Sequence, residues 1–208
     1  MKFEEGKLYH IYNRGNNRQP IFFKRANYQY FMKKVQKYVS SCSDLLCWTL
    51  MPNHFHFLIH ANSDTCKIVR ESPIPINALT ENIRVLLSSY TLAIQKQEKI
   101  VGNLFQQKTK SKCVNLDDSN YSTTAFHYIH KNPYNAGLIR RMEDWEFSSF
   151  REYLKYGPDE IVNVPDGEFS MDNLCNRKLA YKLLQLTPDS ISREAYMHVP
   201  DDVLKFLL

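Results

Sequence analysis

The sequence lacks any long apolar run. No stretch of its 208 residues approaches the roughly 18–20 apolar residues that a helix needs to cross a bilayer, and residues 1–5 contain no signal-peptide core. The five cysteines form an odd set without a Cys-x-x-Cys pair, which argues against a disulfide framework and a zinc ribbon. Internal repeats and low-complexity segments are also missing. We therefore expect a soluble, cytoplasmic protein with one substantial core and no membrane partner.

Charge is unevenly distributed along the chain. The formal net charge is +5. Residues 1–141 contain 20 Lys and Arg against 9 Asp and Glu, a balance of +11, whereas residues 142–208 contain 7 against 13, a balance of −6. A basic body of this kind suits a polyanionic partner such as nucleic acid, although surface lysines also serve solubility alone.

Two histidines two residues apart form the most informative pattern. They lie in the apolar, strand-forming segment 51–60. Because a strand alternates its side chains, His54 and His56 are expected on one face, and Phe55 and Phe57 on the other. The two histidine Cα atoms would lie roughly 6.5–7 Å apart, which lets two ring nitrogens bind one cation. Since such pairs also occur on ordinary polar strand surfaces, the spacing predicts only half of a metal site.

A second pattern lies near the end of a predicted helix. Tyr128 and Asn132 are four residues apart, so about one helical turn places the phenol and the carboxamide on one face. Pro133 disfavours a helical conformation at the residue before it, which predicts a helix end at Asn132. A phenol and an amide oxygen at this spacing can serve one metal centre. In isolation they are more typical of packing and of a helix terminus.

Hydrophobic periodicity predicts the order strand, helix, strand, strand, helix, strand, helix. Asn77 is the expected N-cap of the second helix, and Asp117 or Asp118 that of the third. This order predicts an α+β fold of the ferredoxin-like or RRM-like type, an antiparallel sheet with helices packed on one face. The predicted strands are 7–14, 45–51, 54–60 and 109–114, and the predicted helices are 26–39, 77–97 and one around residue 128.

A Pro- and Gly-bearing segment follows this pattern. It begins at Gly157 and Pro158 and predicts a boundary between a domain at 1–157 and a small C-terminal helical extension at 158–208. Helices are expected near 172–186 and 192–208. Their role is not indicated by the sequence.

Five segments occur in order along the chain: Tyr9–Arg18, Trp48–His56, Asn103–Lys108, Tyr128–Leu138 and Trp145–Leu154. Together they resemble the REP-associated tyrosine transposases, within the broader group of single-tyrosine HUH transposases, over about residues 7–155. The segments look like the first strand and its loop, the histidine hairpin, a Leu-Phe-Gln segment, the tyrosine helix and the closing stretch of that family. The chain departs from the family pattern at Asn103, where His is common, and at Gln107 and Thr109.

The resemblance implies an HUH domain that cleaves and rejoins single-stranded DNA near hairpins or palindromes through a 5′-phosphotyrosine intermediate. It implies Tyr128 as the nucleophile, assisted by His54 and His56, and a divalent metal ion, Mg²⁺ or Mn²⁺, held by these histidines and Asn132. A free phenol has a pKa near 10, so a nearby cation or base must favour the phenolate. A homodimer is compatible with the broader group. The residues expected to contact DNA are Arg14, Asn16, Arg18, Lys108 and Lys110.

Other classes stay open from the residues alone. A non-catalytic RRM-like nucleic-acid-binding protein would explain the basic body and the fold, but it leaves both paired motifs unexplained. A metal-dependent nuclease in which water attacks would leave Tyr128 incidental. A structural zinc protein is the weakest alternative, because Cys42 and Cys47 are badly spaced relative to the histidines.

Overall fold

A four-stranded antiparallel sheet organises the chain. The computed structural model describes residues 1–71, 73–114, 119–165 and 168–194. The main sheet has the strand order β2-β3-β1-β6, and β4 and β5 form a separate two-stranded sheet. The strands are β1 (Leu8–Arg14), β2 (Asp44–Met51), β3 (His54–His60), β4 (Ile68–Arg70), β5 (Ile76–Asn77) and β6 (Lys110–Val114). The four predicted strands are therefore confirmed to within a residue.

The helices are α1 (Arg25–Tyr38), α2 (Ser63–Cys66), α3 (Ala78–Glu98), α4 (Ser119–Asn135), α5 (Phe150–Lys155), α6 (Arg177–Leu183) and α7 (Pro188–Glu194). Asn77 caps α3 as predicted, since its Oδ1 accepts a hydrogen bond of 2.9 Å from the Thr80 N–H. The predicted cap at Asp117 or Asp118, and most of the predicted helix at 192–208, lie outside the described residues. No described helix has the length and apolar character needed to span a bilayer.

The main core lies between one sheet face and the helices α1 and α3. Phe55 and Phe57 of β3 point to this face and are buried there with Phe31 of α1 and Tyr90 of α3. The Phe31 ring lies 5.4 Å from that of Phe55 and 4.9 Å from that of Tyr90. Burying one such side chain contributes about 1.5–3 kcal/mol. The α+β class with an antiparallel sheet is confirmed.

Helices also cover part of the opposite face. Leu8 and Leu58 lie in a second buried cluster with Phe126 and Ile129 of α4 and Phe150 of α5. The expectation of helices on one face only is therefore corrected: it holds for α1 and α3, whereas α4 packs on the other side. The reason is that this half of the sheet is apolar on both faces, so both faces must be covered.

Helix α4 continues through Pro133 instead of ending at Asn132 as predicted. A proline has no N–H for the carbonyl four residues earlier, here that of Ile129. The Asn132 side chain compensates in part: its Nδ2 donates to the Tyr128 carbonyl at 2.9 Å and more weakly to the Ile129 carbonyl at 3.4 Å. The carbonyl that Pro133 leaves without its helical donor thus receives a weak hydrogen bond from a neighbouring amide.

Helix α4 ends at Asn135, and the chain turns away from it at Gly137. This glycine has a φ of 69°, a left-handed conformation that favours glycine. Its N–H donates to the Tyr134 carbonyl at 2.9 Å, and the Leu138 N–H donates to the Pro133 carbonyl at 3.0 Å. This pair of bonds is the Schellman pattern of helix ends, so the chain leaves the helix three residues beyond the proline-based prediction.

The described part of the C-terminal extension packs on both cores. Leu174 lies in the first core, and Leu184 and Ile191 lie in the second. Arg177 at the start of α6 forms a buried ion pair with Glu152 of α5, with 2.8 Å between Nη1 and Oε1. The division of the chain at residue 157 stays a prediction.

The guanidinium of Arg177 also donates to the carbonyls of Gly157 and Glu160, so one side chain ties the extension to α5. We expect Arg177→Met to lower the free energy of unfolding by about 2 kcal/mol, because it leaves the Glu152 carboxyl group, whose pKa burial raises to about 8, without its hydrogen-bond partner. Urea unfolding measures this change. The control is Lys178→Gln, which removes an exposed ion pair with Asp159 and should have no measurable effect. Equal stability of the two variants would contradict the assignment.

Candidate active site

A cavity of about 540 Å³ opens on the sheet face opposite the first core, where β1 ends and β3 begins. All predicted site residues line this cavity except Asn16, whose N–H bonds the Leu104 carbonyl at 2.9 Å in the turn after β1. The lining residues are Tyr12, Asn13, Arg14, Arg18, Asn53, His54, His56, Gln106, Lys108, Lys110, Tyr128 and Asn132. The fold therefore brings together residues from β1, β3, α4 and the segment before β6.

His54 and His56 share one face of β3, as the strand alternation predicts. Their ring centroids are 5.0 Å apart and the ring planes are perpendicular, at 88°. Phe55 and Phe57 point into the core on the other face. The burial of these two phenylalanines thus fixes the direction in which the histidines point.

Asn53 fixes the tautomer of His54. The Asn53 Nδ2 donates to the Arg18 carbonyl at 3.3 Å, so its Oδ1 is the atom 2.6 Å from the His54 Nδ1. A carboxamide oxygen only accepts hydrogen bonds. The His54 proton therefore lies on Nδ1, and Nε2 keeps its lone pair for a ligand.

His56 has its Nδ1 2.8 Å from the Nε2 of His10 on β1. The ring centroids are 5.0 Å apart and the ring planes differ by 19°, which together with the short nitrogen–nitrogen distance places this hydrogen bond close to both ring planes. The Nδ1 of His56 is thereby occupied, and its Nε2 is the nitrogen left for the cavity. His10 was not predicted as a site residue.

Tyr128, on helix α4, lies beside the histidines of the sheet. Its ring centroid is 5.9 Å from that of His56 and 6.1 Å from that of His10, with interplanar angles of 83° and 80°. Asn132 lines the same cavity one helical turn further on. Because its Nδ2 is turned back to the helix carbonyls, its Oδ1 is the atom left for a cation.

These three side chains are the ones that could hold a divalent cation. Each of His54, His56 and Asn132 has one polar atom held by a protein hydrogen bond and another left over, which is how metal ligands are oriented in proteins. Two imidazole nitrogens and one amide oxygen would leave coordination positions open for substrate. Over the described ranges, no group of three or more His, Cys, Asp or Glu side chains suits a metal. A metal bound here would therefore need the amide oxygen of Asn132 as its third protein ligand.

The site keeps its histidines neutral. Burial, together with the positive charge of Arg14, lowers the pKa of His54 to about 4. Burial also lowers the pKa of His56 well below its usual value, and His10 and His54 add to this shift. A neutral imidazole is the form that binds a cation. Both side chains are thus in the ligating form at neutral pH.

The phenol of Tyr128 is held in its protonated form. Burial raises its pKa to about 12, while the hydrogen bond with the Asn132 side chain opposes this shift. At neutral pH the protein environment alone therefore disfavours the phenolate. A positive charge beside the phenol would lower this pKa and activate the oxygen.

The loop after β1 forms the basic side of the cavity. Gly15 is required here, because a Cβ at this position would lie 2.0 Å from the Gln19 carbonyl oxygen. Next to it, the Gln106 N–H donates to the Arg14 carbonyl at 2.9 Å, which joins the loop to the segment before β6. Arg14 and Arg18 therefore stand on one rim of the cavity, and the chain leading to Lys108 stands beside them.

Tyr12 is a second lining residue that the sequence interpretation missed. Its ring lies 4.8 Å from that of His10 and 5.8 Å from that of His56, and the Lys110 Nζ lies 5.6 Å from its centroid. The available signal was the alternation of β1, which puts His10 and Tyr12 on one face. That signal does not say which residues of β3 they face.

The other histidines that the structure describes, His60, His127 and His130, lie away from the cavity. His60 bonds Asp44 at 3.1 Å near the far end of β3. His130 is buried and lies 2.7 Å from the Ser149 hydroxyl, and His127 is also buried. None of these three lines the cavity.

Comparison with known proteins finds a solved structure with a similar fold. No protein-family profile matches the chain, and no curated protein matches it in sequence. Among solved structures, a REP-associated tyrosine transposase bound to a REP hairpin is similar, with a TM-score of 0.54 and 18% sequence identity. The match covers 82% of this chain and 96% of that chain. The two proteins share a fold.

Proposed function

We propose that this chain is a single-tyrosine transposase of the REP-associated type, which cleaves and rejoins single-stranded DNA beside a hairpin. The observation that carries the proposal is the meeting of Tyr128 with the pair His54 and His56 in one cavity, with 5.9 Å between the Tyr128 and His56 ring centroids. Neither motif alone indicates this chemistry. A nucleophile, two neutral imidazoles and an amide oxygen in one basic cavity have the composition that strand transfer through tyrosine requires.

The substrate we propose follows from the charge and shape of the cavity. Arg14, Arg18, Lys108 and Lys110 line it and can neutralise backbone phosphates. The ring of Tyr12, next to Lys110, offers an aromatic surface beside these charges, a combination typical of single-stranded DNA binding. The related fold was solved with a REP hairpin bound, which supports a hairpin as the neighbouring DNA element.

The cofactor we propose is Mg²⁺ or Mn²⁺, held by the Nε2 atoms of His54 and His56 and by the Oδ1 of Asn132. When bound, such a cation supplies positive charge that polarises the scissile phosphate and stabilises the phenolate. The protein contributes the fixed orientation of all three ligands. Mixed imidazole and oxygen ligation also accepts Ni²⁺ or Co²⁺, which bind imidazole more tightly.

Cleavage proceeds by attack of the Tyr128 phenol oxygen on phosphorus. The phenol loses its proton, a bond forms between Oη and phosphorus, and the bond from phosphorus to the 3′-oxygen breaks. The leaving oxygen takes up a proton and becomes a free 3′-hydroxyl. A second 3′-hydroxyl can then attack the 5′-phosphotyrosine, which rejoins DNA without ATP because the bond energy is kept in the enzyme link.

Covalent trapping tests this function. We expect wild-type protein, incubated with a hairpin-bearing single-stranded oligonucleotide and Mn²⁺, to form a protein–DNA adduct that survives denaturing electrophoresis. Tyr128→Phe and EDTA should each abolish the adduct. Tyr121→Phe and Tyr134→Phe on the same helix should retain it. Cleavage by Tyr128→Phe would indicate attack by water instead, and binding without any cleavage by the wild type would indicate a non-catalytic RRM-like binding protein.

Metal affinity tests the ligand set separately from catalysis. Calorimetric titration with Ni²⁺, a tighter-binding substitute for Mn²⁺, should show one site per chain. We expect His54→Ala to weaken binding by about tenfold or more, because one of three protein ligands is lost. His60→Ala is the matched control on the same strand, since His60 bonds Asp44 and not the cavity. If both variants bind like the wild type, the metal site is elsewhere.

Salt dependence tests the DNA surface. The affinity of Tyr128→Phe for a single-stranded hairpin oligonucleotide should fall with salt concentration, because each neutralised phosphate releases counterions. Replacing both Lys108 and Lys110 with glutamine should reduce the magnitude of the slope of log K against log salt concentration by roughly 0.7 for each lost phosphate contact. Lys178→Gln, at an exposed position paired with Asp159, should leave the slope unchanged. An unaltered slope in the double variant would place the DNA elsewhere.

A further inference from the structure

His10 is a completely buried imidazole that touches both halves of the candidate site. Its side chain has no exposed surface. Its Nε2 lies 2.8 Å from the Nδ1 of His56, and its ring faces the edge of Tyr128 at 6.1 Å. Among the described residues, its Nδ1 has no hydrogen-bond partner. His56 is therefore the one polar partner that the structure gives this ring.

An imidazole at this position is costly as a packing residue. The neighbouring strand positions, Leu58 on β3 and Lys112 on β6, pair directly with His10, and Leu58 belongs to the second core. An apolar side chain would fill the same volume without leaving a buried polar atom unpaired. The hydrogen bond to His56 is the feature that an apolar residue could not supply.

That bond has two possible directions, and they differ in what they offer the cavity. If His10 donates, the His56 proton lies on Nε2, and this nitrogen has no lone pair for a cation. If His56 donates from Nδ1, its Nε2 carries the lone pair toward the cavity. His54 is already held in this second form by the side-chain oxygen Oδ1 of Asn53.

We propose that His10 is a positioning residue: it accepts the hydrogen bond from the Nδ1–H of His56 and so holds His56 in the tautomer and orientation that present Nε2 to the cavity. This role rests on the proposed function, because it concerns how His56 would bind the proposed cation. His10 itself is fully buried and does not line the cavity. It does for His56 what Asn53 does for His54, from the neighbouring strand instead of the preceding residue.

The geometry of the pair supports this role. The two ring planes differ by only 19°, so the hydrogen bond fixes the rotation of the His56 ring as well as its proton. Tyr12 packs on the His10 ring at 4.8 Å with an interplanar angle of 24°. His10 is thereby immobilised between the sheet, Tyr12 and Tyr128, and an immobile acceptor is what orients a ligand.

Two substitutions separate positioning from packing. His10→Leu fills the buried space without an acceptor. His10→Gln places an amide oxygen near the position of the imidazole Nε2 and can accept from the Nδ1–H of His56. His60→Gln, at a histidine of β3 that bonds Asp44, is the control. Circular dichroism melting confirms that each variant is folded before it is compared.

The first readout is the tautomer of His56 in the metal-free protein. Long-range proton–nitrogen correlation spectra of ¹⁵N-histidine protein, with the His56 signals identified by their loss in His56→Gln, report which nitrogen carries the proton. We expect Nδ1–H in the wild type and in His10→Gln, and a shift toward Nε2–H in His10→Leu. An Nε2–H form in the wild type, or an unchanged tautomer in folded His10→Leu, overturns the proposal.

The second readout is the affinity for Ni²⁺. We expect His10→Leu to weaken binding by about tenfold to a hundredfold, the range found for lost orienting partners, and His10→Gln to restore most of it. Equal losses in both variants would show that His10 acts by packing alone and would overturn the proposal. If the wild type binds no metal while the tautomer still changes in His10→Leu, the proposed metal site fails and the positioning role stands.

Discussion

The pairing of β1 with β3 is the constraint on which the site depends. This antiparallel register places Tyr12 opposite His56 and Arg14 opposite His54. A slip by one residue would turn Phe55 and Phe57 toward the cavity and the histidines into the core. Because both phenylalanines are buried against α1 and α3, the register is held by the packing free energy of the main core. The burial that stabilises the fold therefore also makes the histidines point toward the cavity.

Hydrogen bonds then fix the orientation of the side chains that the strand register brings to the cavity. Asn53 holds His54, His10 holds His56, and the carbonyls of α4 hold the amide of Asn132. In the last case, the amide that donates weakly to the carbonyl left without a donor by Pro133 is the one whose oxygen is left for the cavity. Side chains restrained on both sides lose little freedom when they bind a ligand.

Sequence patterns predict well to which face a side chain points, and poorly which residue it contacts. Strand alternation gives the common face of His54 and His56, and helical spacing gives that of Tyr128 and Asn132, because both follow from local geometry. The role of His10 depends on the register between β1 and β3, because its partner His56 lies 46 positions further along the chain. No local sequence pattern encodes that register. The same holds for the ion pair of Arg177 with Glu152, and for Pro133, whose effect is offset in part by its neighbour. Prediction failed where the deciding contact was made by a side chain and not by periodicity.

The composition of the cavity links metal and DNA under the proposed function. The lining residues that the structure describes are basic, aromatic or neutral, and no carboxylate is among them. A divalent cation held by two neutral imidazoles and an amide keeps its full charge, whereas Mg²⁺ in proteins is bound largely through carboxylates and substrate phosphates. The phosphate of DNA would then be the anion that completes the site, so DNA and metal would each strengthen the binding of the other, as linkage requires. Because burial raises the pKa of the Tyr128 phenol to about 12, the proposed nucleophile would stay protonated until that cation is in place. Under the proposed function, reactivity would thereby be confined to the complex that contains the substrate.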